Sequence, residues 1–276
     1  MPGTYTIPFV PGLGRHVNHD PRSRRFAFTS GAPSSYRPPA ILHPRHVPIF
    51  DQGQLGSCTA NASLGIMATG PYWDALCAVT GTATPLGAGP YPFTEDGAVS
   101  LYHDITANDP YEGTYPPDDT GSDGLSAAQA LQRAGIIPGY QHTFSLADAL
   151  AALAHFPLMV GTNWTEQMFY PDSNGLIKYK GSVFGGHEWI VDQYVPEHDW
   201  IGGTTSWGAS FGKNGRFYMT VADFGKLLAA DGDVTIPTPA TAPAPIPTPE
   251  PTPAPAALTG AEVAAKIRQA LTDLGL

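Results

Sequence analysis

The two halves of this chain keep different hydrophobic periods. Before Pro157, three stretches read as helices: "GSCTANASLGIMATG", "SDGLSAAQALQRAG" and "SLADALAALAHF". In the first, Leu64 and Met67 or Ala68 form an inward face; in the second, Leu125, Ala128 and Leu131 do so. Ser57 and Ser122 or Asp123 stand at cap positions, and Gly135 is a stop. From Pro157 onward the runs are short, rich in β-branched and aromatic residues, and bounded by Gly or Asp. They are "PLMVGTNW", "GLIKYKG", "HEWIVDQYV", "WIGGTTSW" and "GRFYMTV". Helices first and strands later predict an α+β fold, not alternating βαβ units.

Composition narrows the function. Charged residues are 14% of the 276, below the usual ~25%. The formal net charge is -10, and no basic run interrupts it, which argues against nucleic acid as a partner. The opening "MPGTYTIPFVPGLGRHV" lacks the charged start and apolar core of a secretory signal, and no apolar segment approaches the ~18 residues of a membrane span. The expected location is cytoplasmic or, for a phage-encoded chain, virion-associated. Two cysteines are too few for a disulfide scaffold, so free thiols are expected.

Residues 1–37 read as an irregular arm, 38–235 as the body, 236–257 as a Pro-rich linker and 258–276 as an amphipathic helix. The linker favours extended polyproline II. In the last segment Thr259 and Glu262 fit a capping box, and Val263, Ile267, Leu271 and Leu274 form one apolar stripe. That segment is either a frayed tail or a docking helix for self-association or a partner.

The chemistry centres on Cys58. A thiol is a nucleophile as thiolate, and near its ordinary pKa of ~8.5 it needs help. A helix start supplies part of it, and Cys58 stands at one. An imidazole supplies the rest, and His187 in "FGGHEWIVDQY" is the candidate, with glycines before it and an apolar strand after it. His43 and His46 in "HPRH" lack a third ligand for a metal. Cys77 reads as a small buried hydrophobe. The acidic stretch "DPYEGTYPPDDTGSDG" lacks the ligand pattern of an EF-hand and reads as a surface loop.

Three blocks, in order, resemble those of papain-like cysteine peptidases of bacterial or phage type: "DQGQLGSCTANA", "GGHEWIV" and "TSWGASFGKNGRF". The resemblance spans roughly residues 38–225. It implies a two-lobed fold, with a helical lobe carrying the nucleophile helix and a β-rich lobe carrying the base. It implies Cys58 as nucleophile, paired as thiolate with an imidazolium at His187. It further implies that Gln52 donates to the oxyanion beside the Cys58 N–H, that Trp207 covers the base, and that Gly121 and Gly124 offer backbone to an extended substrate. No metal or organic cofactor is implied; the partner is a protein or peptide.

Some positions depart from the family pattern. Thr205 stands where the family has the asparagine that orients the base. Thr59 follows the nucleophile in place of an aromatic, Leu55 replaces a disulfide cysteine, and Phe211 replaces a second tryptophan. Asp192 and Asp199 are nearby substitutes for the orienting role. Because the arm is short, it is expected to lie on the body's surface and not to block a cleft. Two other readings stay open. One is an endopeptidase or amidase acting on peptidoglycan stem peptides, a layout in which Pro-rich linkers recur. The other is a catalytically weakened binding or structural protein.

Overall fold

The computed structural model describes residues 12–85 and 90–240. The proposed 258–276 helix and most of the linker lie outside these residues. Three anticipated helices are present: α1 (Cys58–Met67), α4 (Gly124–Arg133) and α5 (Leu146–Leu153). Their starts follow capping chemistry at two of the three. Asp123 accepts from the Ser126 N–H and Ser145 from the Asp148 N–H. Ser57 precedes α1 but donates to Asn61 Oδ1 instead of capping a backbone N–H.

Three further helices were not anticipated: α2 (Tyr72–Thr80), α3 (Glu95–Thr106) and α6 (Val221–Ala229). In α2, Cys77 is half-buried, not buried as expected, because the helix turns that side toward solvent.

The strands form one sheet with the path β2 (Tyr140–Thr143), β7 (Asp233–Pro237), β3 (Leu158–Thr165), β4 (Val183–Val195), β5 (Trp200–Thr204) and β6 (Arg216–Thr220). A two-residue strand, β1 (Ile41–Leu42), pairs with β4 off this path. All pairings between these strands are antiparallel. "GLIKYKG" is not a strand; it touches the sheet through a Leu176–Tyr218 bridge and through the Lys180 N–H, which donates to Thr165 Oγ1 of β3 at 3.2 Å. β7 continues two residues past 235, into the stretch read as linker, because its residues are wholly buried between β2 and β3.

Every residue of α1 is buried. It packs on α3 and α4 on one side and on β4 on the other. Its small side chains permit this. A Cβ on Gly65 would stand 2.6 Å from Ile190 Cδ1. The sheet's other face is sealed by aromatic and aliphatic side chains, with Trp189 against Phe217 and the α6 residue Phe224. Each such buried side chain contributes roughly 1.5–3 kcal/mol. The nucleophile helix is thus wedged between a helical layer and the sheet, with its first residue at their junction.

Candidate active site

The turn before α1 is built around Gln52. Its backbone N–H donates to Ser206 O at 2.8 Å, and its carbonyl accepts from the Leu55 N–H at 3.2 Å. Its side-chain oxygen accepts from Ser206 Oγ, and Nε2 donates to Leu55 O at 2.6 Å. A primary amide nitrogen carries two hydrogens, and the Leu55 bond uses one. The same turn is pinned from the helical lobe. Asp119 accepts from the Gly56 N–H at 2.9 Å and from Tyr102 Oη at 2.7 Å, while Tyr102 Oη accepts from the Gly121 N–H at 2.7 Å. One carboxylate and one phenol therefore tie the nucleophile turn to the 121–122 strip.

His187 reaches the same point from β4, where it sits opposite Thr162 of β3. The backbone N–H of its neighbour Glu188 donates to Cys58 Sγ at 3.4 Å. Trp207 stacks on the imidazole with centroids 4.4 Å apart, and Trp164 meets it edge-on at 5.2 Å. Cys58 and His187 are both fully buried, and neither ring nitrogen of His187 makes a hydrogen bond. Burial pushes the Cys58 thiol up to about 12 and the His187 imidazolium down to about 3. With the arm seated, burial favours the neutral form of each.

Thr205 is buried nearby, but its Oγ1 has no hydrogen-bond partner and gives His187 none. The two aspartates considered as substitutes are engaged elsewhere: Asp192 pairs with Arg216, and Asp199 with Arg37 and Tyr194. Aromatic packing holds the base instead. The histidines of "HPRH" are also engaged in packing. His43 Nε2 meets Leu153 O at 2.8 Å, and His46 stacks on Trp73.

The N-terminal arm lies on the surface over residues 21–37, which are mostly exposed, but its first described residues do not. Residues 12–17 run through the gap between the two lobes, over Cys58. Gly12 N–H donates to Gly53 O at 2.9 Å, and Trp207 Nε1 donates to Gly12 O at 3.1 Å. The Gly14 N–H faces the Cys58 thiol and favours its charged form, against the larger effect of burial. Ser122 N–H donates to Gly14 O at 2.8 Å, His16 N–H to Ser122 O at 2.9 Å, and Arg15 N–H to Gly186 O at 3.2 Å. Arm length was a poor guide, since a few residues suffice to span a cleft when glycine allows contact. A Cβ on Gly14 would fall 1.8 Å from Gly56 O. Of the two glycines expected to face an extended chain, Gly121 lies against the arm, beside Gly14 O. Gly124 does not; it opens α4 and faces Glu188, Asp233 and Thr235.

Sequence reading missed Arg15, Asp119, Tyr102, Ser122, Glu188 and Asp233. Glu188 left a trace: a carboxylate directly after the base in an otherwise apolar strand. The others are joined by the fold across distances no local pattern reports.

No family model and no curated protein matches this chain. Solved structures do. Xylellain, a cysteine protease from Xylella fastidiosa, superposes with a TM-score of 0.60 at 16% identity, covering 83% of this chain and 96% of that one. Digestive procathepsin L 3 of Tenebrio molitor larval midgut gives 0.53 at 16% identity, covering 82% and 75%. The ragweed pollen cysteine protease Amb a 11, in its proform, gives 0.52 at 16% identity, covering 78% and 72%. The fold is papain-like α+β, and its structural neighbours are papain-like cysteine proteases.

Proposed function

We propose that this chain is a latent cysteine peptidase. The observation that carries the reading is the arm itself. An extended polypeptide backbone passes over Cys58, paired on one side with Ser122 and on the other with Gly186. A groove that holds peptide backbone beside a buried thiol and an imidazole suits a peptide substrate. In the open enzyme, His187 takes the Cys58 proton and sulfur attacks the substrate carbonyl. The oxyanion rests on the second Gln52 amide hydrogen and the Cys58 N–H; one such donor is worth about 2.7–4 kcal/mol. His187 then protonates the leaving amine, and water cleaves the resulting thioester.

Latency follows from desolvation. With the arm in place, no water reaches Cys58 or His187 and both stay neutral. Departure of the arm readmits water and lowers the cost of the charged pair.

The test uses the full chain carrying Gly14→Leu, which cannot seat the arm over Gly56. Against an unstructured protein, cleavage at least about tenfold faster than wild type is expected if release exposes the site. Cell-wall stem peptides run in parallel; turnover of those alone would move the substrate to the wall. A second reading, a binding protein on a weakened peptidase frame, draws on the unpartnered Thr205 and His187. No turnover of either substrate by a folded Gly14→Leu chain would favour it.

A further inference from the structure

The arm's one long side chain in the cleft is buried in charge. Arg15 is 3% exposed, and its Nη2 donates to Asp233 Oδ1 at 2.7 Å and Asp231 O at 3.3 Å. Its Nε stands 3.7 Å from Glu188 Oε2. Nη1 folds back to the arm's own carbonyls at His16 and Val17. Glu188 and Asp233 belong to the body, on β4 and β7, and are 0% and 2% exposed. The cavity is shaped for a side chain. A Cβ on Gly161 of β3 would lie 2.1 Å from Arg15 Nε and 2.7 Å from both Asp233 Oδ1 and Glu188 Oε2. Neither Glu188 oxygen makes a hydrogen bond.

When the arm leaves, this cavity keeps its two carboxyls and loses its cation. It opens on the backbone strips of Ser122 and Gly186. Trp207, which stacks on the base and so marks the leaving-amine side, meets the arm three residues away at Gly12. The cavity is therefore on the acyl side. We infer that it is a specificity pocket for a guanidinium, so that the open cleft takes polypeptides with arginine on the acyl side of the cleaved bond. This rests on the peptidase reading above and names its substrate class. Arginine suits the cavity better than lysine, because its fork meets Asp233 and Asp231 through one nitrogen and faces Glu188 with another. An acidic side chain there meets like charge.

The experiment uses full-length Gly14→Leu protein and blocked dipeptide coumarin amides with Arg, Lys, Leu or Glu at either of the two acyl-side positions. Hydrolysis is measured on that protein, and binding of the same compounds on the Gly14→Leu, Cys58→Ala chain. Arginyl compounds should bind about ten- to a hundredfold tighter than leucyl ones, the range of charge-assisted hydrogen bonds. Asp233→Asn should remove most of that ratio. The Arg15→Ala chain repeats the comparison with an arm that keeps Gly14; any residual arm occupancy cancels in the ratio. Leucyl compounds binding as tightly as arginyl ones would overturn the pocket assignment, whether or not they are hydrolysed. Tight arginyl binding without hydrolysis would sustain the pocket and sink the peptidase reading.

Discussion

At the scale of single residues, the site departs from its resemblance in the support of the base. Thr205 Oγ1 is buried and unpartnered, and both nitrogens of His187 are too. A buried hydroxyl without a partner costs about 1–3 kcal/mol. Asparagine extends one atom further and presents an amide oxygen toward the ring. In the Gly14→Leu background, Thr205→Asn should raise kcat about tenfold, a fraction of the 10²–10⁴ that general acid–base catalysis supplies in full, because only the orientation of the base improves, with KM little changed. By accepting from the ring N–H, the amide oxygen should favour the imidazolium and move the alkaline limb of the kcat/KM profile to higher pH. An unchanged profile with altered thermal stability only would make Thr205 a packing residue.

At the scale of elements, the carboxyls of β4 and β7 couple the arm to the sheet. Burial opposes the Asp233 charge, but Arg15 and His142 beside it more than offset this and hold the carboxyl at about 2. That contribution is fully present above the ordinary carboxylate range and is lost only as pH falls through about 2. Glu188 runs the other way. Burial, and then Asp233, raise its pKa, so its contribution is fully present below the ordinary carboxylate range and is lost as pH rises through the raised value. Glu188→Gln should therefore flatten the decline of Tm with rising pH; a decline equal to that of wild type would show that Glu188 ionises without cost. These elements also separate what was legible from what was not. The α4 start was readable because Asp123 and Gly135 are local signals, and β4 because its apolar run is long. β7 was missed because "DVTIP" abuts the Pro-rich stretch and owes its strand state to β2 and β3 on either side. α3 was missed because Gly97 interrupts it near a cap, Thr94, that only the fold makes evident.

At the scale of the whole molecule, the blocks holding Gln52, Cys58, His187 and Trp207 were legible because each carries its own short pattern, and the fold gathers them at the lobe junction. The path of the arm was not. Nothing local in "GLGRH" reports that Gly14 will press on Gly56 or that Arg15 will meet Asp233, 218 positions away. Among the described residues no helix is long and apolar enough to cross a membrane. The central claim is that Cys58 is a peptidase nucleophile silenced by the chain's own N-terminal residues. Its most direct test is the alkylation rate of Cys58 against pH, resolved by site, in wild type and Gly14→Leu, with half-buried Cys77 as internal reference. The account predicts that wild-type Cys58 reacts more slowly than Cys77. In Gly14→Leu it should overtake Cys77 and stay fast well below pH 7. A Cys58 that stays inert in folded Gly14→Leu, or titrates like an ordinary thiol near ~8.5, would contradict it.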